Sequence, residues 1–174
     1  MRKALYFLGI LNDSDIDWLM AAGSRREVGA GRTLIEEGRE IDSLFLVIDG
    51  AFSVRTRALG GREVARLMSG EVMGEMSFVD RTPPSATVQA TEPSFVLDIP
   101  RRRLNAKLAE DAGFAARFYR ALAMFLASRL RTANAALAGR AGSDHEDELE
   151  FDTLDNVSMA GTRFDWIQRR LRSA

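Results

Sequence analysis

The residues of this chain best placed to do chemistry lie in one stretch, GEVMGEMSFVDRTPPSATVQA, from Gly70 to Ala90. Its first half puts glycines immediately before a predicted helical turn over Glu75 to Val79. Several main-chain N–H groups can then point at one spot, which makes an anion site. Gly74 allows close backbone approach. Glu75, in the first turn, suits the helix dipole and can also accept hydrogen bonds from the hydroxyls of a sugar. Met76 follows on the same turn, and the second half adds Ser85, Ala86 and Thr87. Between the halves stand Pro83 and Pro84, where an anion site wants a positive charge. Pro84 supplies no N–H, and Pro83 is pushed toward an extended conformation by the proline after it. Two glycines beside a turn are more often a turn and nothing else, so the stretch needs support from the elements around it.

Composition narrows what those elements serve. A length of 174 residues with 46% hydrophobic and 28% charged side chains suits one globular domain with its own core and excludes disorder throughout. The 24 basic residues balance 25 acidic ones, so the whole chain has no bias toward nucleic acid or an anionic surface. No cysteine is present, which removes disulfides, thiolate nucleophiles and sulfur-ligated zinc. The single histidine, His145, sits in an acidic segment, which argues against metal centres and Ser/His/Asp chemistry. No enzyme, no metal and no cofactor are expected. The apolar run from Ala4 to Leu11 is far short of the roughly 20 residues that span a bilayer, and it lacks a cleavage pattern. A cytoplasmic location without a membrane span is the expectation.

The surrounding pattern is β, then helix. In NDSDIDWLMAA, Ser14 and Asp17 stand at capping-box spacing, predicting a short helix that stops at Gly23. From Arg32 onward, brief apolar runs alternate with glycines: TLIEEG, LFLVIDG, AFSVRTRALGG and EVARLMSG, then SATVQA and SFVLDIP. Strands this short, with turns this frequent, predict an all-β sandwich or barrel, and Gly60–Gly61 a hairpin turn. From Pro100 to about Ala138 the chain reads as helix. Phe114, Phe118, Leu122, Phe125, Leu126, Leu130 and Leu137 share one face, which packs on this chain's barrel or on the same helix of a second copy. Between Ser143 and Asn156 there are seven acids and no lysine or arginine, predicting a solvated linker. In the tail, Thr162 and Asp165 have cap spacing, and Phe164, Ile167 and Leu171 make an apolar stripe that folds back in cis or docks on a partner. The expected division is 1–138 for the main domain with its long helix, 139–161 for an acidic flexible linker and 162–174 for a short amphipathic helix.

The order of these features resembles the cyclic nucleotide-binding domain of the Crp/Fnr family and of cyclic-nucleotide-dependent kinases and channels. The resemblance covers roughly residues 5 to 138 and rests on TLIEEG with Gly38, LFLVIDGAFSV with Gly50, Gly70, the Gly74–Glu75 pair and PSATVQA. It implies an eight-stranded jelly roll, mainly β with flanking helices and a long C-terminal helix, enclosing a phosphate-binding cassette. Gly74 and Glu75 then correspond to the residues that meet the cyclic phosphate region and the ribose 2′-hydroxyl. Ser85, Ala86 and Thr87 fit the closing part of the pattern. The family's phosphate-binding arginine falls at Pro84, so it is lost here. Arg81 and Arg66 are the substitute cations considered, and Asn134, after Ala133 in SRLRTANAAL, takes the place of a residue that turns toward the purine. Arg101 to Arg103 read either as a contact surface or as solvated charges.

The resemblance departs in a second way: the 36 residues after Ala138 begin acidic, and they are fewer than the roughly 60 of a helix-turn-helix domain. DNA is therefore not expected as a partner. Two readings remain. In one, the chain is a stand-alone regulatory sensor that binds cyclic AMP, cyclic GMP or a related nucleotide weakly and signals through its long helix to a partner protein, with a homodimer through that helix left open. In the other, it is a degenerate domain that binds no nucleotide and serves as an interaction scaffold. A cupin-type enzyme would need histidines on the strands, and none is there. Sensing requires the amides of Gly74, Glu75 and Ser85 to converge on a hollow that the protein's own side chains leave clear.

Overall fold

The stretch SLFLVID has five consecutive buried residues, Leu44 to Ile48, and a strand of that kind must be covered on both faces. A computed structural model, which describes residues 5–137 and 151–172, shows how that is done. This strand, β3 (Ser43–Asp49), sends Leu44, Leu46 and Ile48 into a helix-covered core and Phe45 and Val47 into the barrel interior. Its neighbour β8 (Ser94–Pro100) alternates in the same way, with Leu97 and Ile99 facing the helices and Val96 facing inward.

The remaining strands are β1 (Ser24–Val28), β2 (Thr33–Ile35), β4 (Ala51–Thr56), β5 (Arg62–Met68), β6 (Val72–Met73) and β7 (Thr87–Ala90). They form two antiparallel four-stranded sheets, ordered β1-β8-β3-β6 and β2-β7-β4-β5, the expected jelly roll with flanking helices. Gly60 and Gly61 turn the β4–β5 hairpin with φ of 67° and 76° after a single 3₁₀ turn. β1 was not legible as a strand, because SRREV exposes four of its five residues; it exists through its ladder to β8.

The helices cover one side of the first sheet. α1 (Leu5–Ile10) and α2 (Asp13–Ala22) precede the strands, and α3 (Glu75–Asp80) is the short helix inside the cassette. The box at the start of α2 lies two residues earlier than the Ser14 and Asp17 spacing predicts. Asn12 accepts from the Asp15 amide and Asp15 accepts from the Asn12 amide, while the Ser14 hydroxyl donates to Asn12. The helix expected from Pro100 to Ala138 is two helices, α4 (Arg101–Glu110) and α5 (Ala112–Leu137). Asp111 breaks it, because its carboxylate accepts from the Phe114 amide and from Lys107 Nζ, ending one helix and capping the next. Phe114, Phe118, Leu122 and Phe125 of α5 are fully buried, as expected, whereas Leu130 is 62% exposed.

The last helix, α6 (Phe151–Arg172), begins earlier than residue 162, so the segment 139–161 includes its first turns. In sequence the apolar spacing extends back through Ala160, Val157, Leu154 and Phe151, and Asp152 and Asp155 suit a helix N-terminus. Residues 138–150, with His145 and most of the acids, lie outside the described part. α6 folds back in cis: Ala160, Phe164, Ile167 and Leu171 are buried in the helical core. Arg163 donates to the carbonyls of Leu8 and Leu11 at the end of α1, Gln168 to the carbonyl of Ile48, and Arg25 to that of Leu171.

Candidate functional site

The cassette begins with Gly74, which caps α3 at φ 83°, ψ 6°. A side chain there would be strained by that φ, and its Cβ would come within 2.8 Å of Ile41 and 3.2 Å of the Ser43 carbonyl, so the approach of backbone to barrel requires glycine. The turn places Glu75 in the first position of α3 with 3% exposure. On the far side, the Gly38 amide donates to the carbonyl of Pro84 at 2.8 Å and the Glu37 amide to the Thr87 hydroxyl at 3.1 Å. These bonds staple the second half of the cassette to the loop after β2 and explain why the TLIEEG turn and the prolines occur together. Phe78 of α3 meets Phe118 of α5 edge-on at 5.8 Å, coupling the cassette helix to the long helix.

These elements line a hollow of about 80 Å³, open to solvent, whose wall includes Gly74, Glu75, Met76, Pro84, Ser85 and Ala86. Six of the positions read from the sequence are thus brought together. Thr87 is half-buried and is occupied by its bond to Glu37, outside the lining. Asn134 is exposed near the end of α5 and also does not line the hollow. Of the two substitute cations, Arg66 is 3.6 Å from Glu63 on β5, and Arg81 borders a different cavity, beside Arg101 and Arg102.

The residue sequence reasoning missed is Arg129. It descends from α5 into the hollow and donates through Nη1 to Glu75 Oε1 at 2.5 Å and through Nη2 to the Val72 carbonyl at 3.2 Å. Its guanidinium lies 4.5 Å from the centre of the Phe125 ring and keeps 32% side-chain exposure. A signal was present: Phe114, Phe118, Leu122 and Phe125 step by four, four and three, and the next step of four lands on Arg129. A cation on a stripe that should be apolar needs an anionic partner. The Arg129 side chain narrows the hollow, so the condition that the protein's own side chains leave it clear is not met in this state, and any nucleotide must displace that side chain.

Burial pushes the Glu75 carboxyl up from its ordinary range, opposed by the charge of Arg129 and by Glu75's own N–H. The site therefore holds a carboxylate able to accept from hydroxyls, an arginine that can be shared with an anion, and main-chain donors at the start of α3. It has no nucleophile paired with a base, and no metal-ligand cluster occurs among the described residues. No helix of the described residues is long and apolar enough to cross a membrane.

Comparison with known proteins agrees with this geometry. The family model described as "Cyclic nucleotide-binding domain" matches residues 25–111. The Pycsar effector protein PaPycTIR of Pseudomonas aeruginosa is 36% identical over 92 residues, covering 52% of this chain and 29% of its own length. The chain therefore spans under a third of that relative. A cyclic nucleotide-binding domain from Methylobacillus flagellatus superposes with a TM-score of 0.72 at 21% identity, over 79% of this chain and 82% of that one. The catabolite activator protein of Thermus thermophilus gives 0.62 at 24% identity, over 94% and 84%. Likenesses this low in identity speak to the fold. With the family match spanning the cassette and all but the first residue of the barrel, the chain belongs to the cyclic nucleotide-binding domain family.

Proposed function

We propose that this chain is a regulatory module that takes cyclic AMP, cyclic GMP or a related cyclic nucleotide into the cassette and reports it through the distal half of α5 to a partner. The observation that carries the reading is the bond from Arg129 of the long helix to the buried Glu75 of the cassette. A ribose hydroxyl reaching Glu75 competes for the same oxygen atoms. A cyclic phosphate offers Arg129 a new anion, which places a mobile cation where Pro84 provides none. The hollow, at about 80 Å³, is also smaller than the roughly 300 Å³ or more that small-molecule sites occupy. A nucleotide therefore enters only if Arg129 and its stretch of helix move outward, and that displacement is the signal. The exposed Leu130 on this stretch gives the moved helix an apolar contact for a partner or a second copy of the chain.

Isothermal titration with cyclic AMP and cyclic GMP tests this. Micromolar-range binding that Glu75→Ala abolishes supports the reading; no heat up to millimolar ligand refutes it. A second reading, a scaffold that binds no nucleotide, is favoured by Pro84 and by the tightness of the hollow, and the absence of heat is its expected result.

A further inference from the structure

Arg101 opens α4 and borders a different cavity from the one Arg129 enters, and its neighbours are unusual for a guanidinium. Its amide donates to the Asp42 carbonyl at 2.7 Å, its Nη2 donates to the Gly74 carbonyl at 3.3 Å, and its Cζ lies 6.0 Å from the Phe78 ring. Nε is buried without a partner, and no carboxylate comes within ion-pair distance among the described residues. Burial pushes its pKa down, with Asp42, Asp80 and Glu40 acting in the other direction from further away. This is an incompletely neutralised cation held against one carbonyl, at the cost of a buried donor left unused.

That carbonyl belongs to the peptide whose other end is the Glu75 N–H. A trans peptide is planar, with its C=O and N–H on opposite edges and pointing in opposite directions. The Gly74 carbonyl faces Arg101 and also accepts from the Phe78 amide at 3.0 Å, so the Glu75 N–H is turned the other way, where it meets Glu75's own carboxylate and where a ligand anion would take its place. A charge-assisted bond to the carbonyl also polarises the peptide and makes its N–H a stronger donor.

We propose that Arg101 is a positioning residue of the anion cradle: through the Gly74 carbonyl it fixes and strengthens the Glu75 N–H, acting through one peptide unit where Pro84 supplies no cation. This rests on the cassette being an anion site. Arg101 does not touch the ligand, and its effect passes through Gly74.

The test compares Arg101→Lys, Arg101→Gln and Arg101→Met by titration with cyclic AMP, by the ¹H–¹⁵N resonance of the Glu75 amide, and by thermal unfolding. Lys keeps both charge and donor and should bind within about threefold of the parent; Gln keeps only a donor and should weaken binding about fivefold, and Met about tenfold. The Glu75 amide resonance should move in the order Lys, Gln, Met without ligand. Equal affinity across the series with an unmoved Glu75 resonance overturns the assignment. If Met does not fold, the contrast between Lys and Gln decides. If the parent binds no cyclic nucleotide, the functional reading fails by itself, and the ligand-free Glu75 resonance still judges Arg101: shifted in Gln, the assignment stands; unshifted, it falls.

Discussion

α5 is held to the rest of the protein by two buried carboxylates, and they are held differently. Near its start, Arg117 grips Asp15 of α2 through two bonds of 2.6 and 2.8 Å, while Asp15 also accepts from the Asn12 amide in its own capping box. Twelve positions further on, or about 18 Å along the helix, Arg129 meets Glu75 through a single nitrogen and spends the other on a carbonyl. Both carboxylates are 3% exposed. Burial opposes ionisation of each, but the hydrogen bonds from Arg117 and Asn12 outweigh it and hold Asp15 below the usual range, whereas Glu75 is left above it. The first pair is a completed network, expensive to break and with nothing to gain from a ligand. The second is held by one nitrogen of Arg129 and by Glu75's own N–H, and it faces the hollow, so a ligand's hydroxyls and phosphate can compete for it. Two carboxylates of equal solvent exposure, the second set deeper in the protein, thus make a fixture at one end of the helix and an exchangeable latch at the other.

The comparison is broken most severely at the fixture. Asp15→Ala removes the carboxylate half of the box and the partner of Arg117 and should lower unfolding free energy by about 3 kcal/mol in chemical denaturation. Pro84→Arg should act on the latch alone, raising cyclic AMP affinity about ten- to a hundredfold by calorimetry, since the phosphate then no longer depends on Arg129. Glu75→Gln should weaken cyclic AMP about tenfold while costing under about 1 kcal/mol of stability, because the half-exposed Arg129 can turn to water. The smallest effect is the pH dependence. Asp15 has a folded pKa below its unfolded value, so its contribution is present above about pH 4 and is lost as pH falls through the depressed value. Glu75 has a raised folded pKa, so the folded state loses stability as pH rises from about 4.5 through the raised value. Melting temperature against pH should show Asp15→Asn flattening the acid limb and Glu75→Gln flattening the limb above it.

Much of this was legible in the sequence, and the gaps have physical causes. The strands with apolar alternation, the Gly74–Glu75 turn and the tail stripe Phe164, Ile167, Leu171 all declare themselves through burial, which sequence periodicity records. β1 does not, because its stability comes from hydrogen bonds to β8 and from pairs such as Arg26 with Asp98, which leave no apolar trace. The break at Asp111 was signalled by Asp-Ala-Gly, a cap followed by a weak helix former, yet the apolar stripe on either side concealed it. Arg129 was hidden because a long-range ion pair has no local spacing; only its place on a buried stripe betrayed it. Arg101 read as one of three arginines at a helix start, and nothing in the sequence separated the one turned to Gly74 from the exposed Arg102 or from Arg103, which donates to the Ala22 carbonyl.

The division of α5 into a fixed and a releasable half is tested most directly by hydrogen exchange of the whole chain with and without millimolar cyclic AMP. The account predicts altered protection in residues 75–80 and 126–137, with residues 112–122 and 13–22 unchanged. Change spread evenly along α5, or none in either segment while calorimetry registers binding, would contradict it.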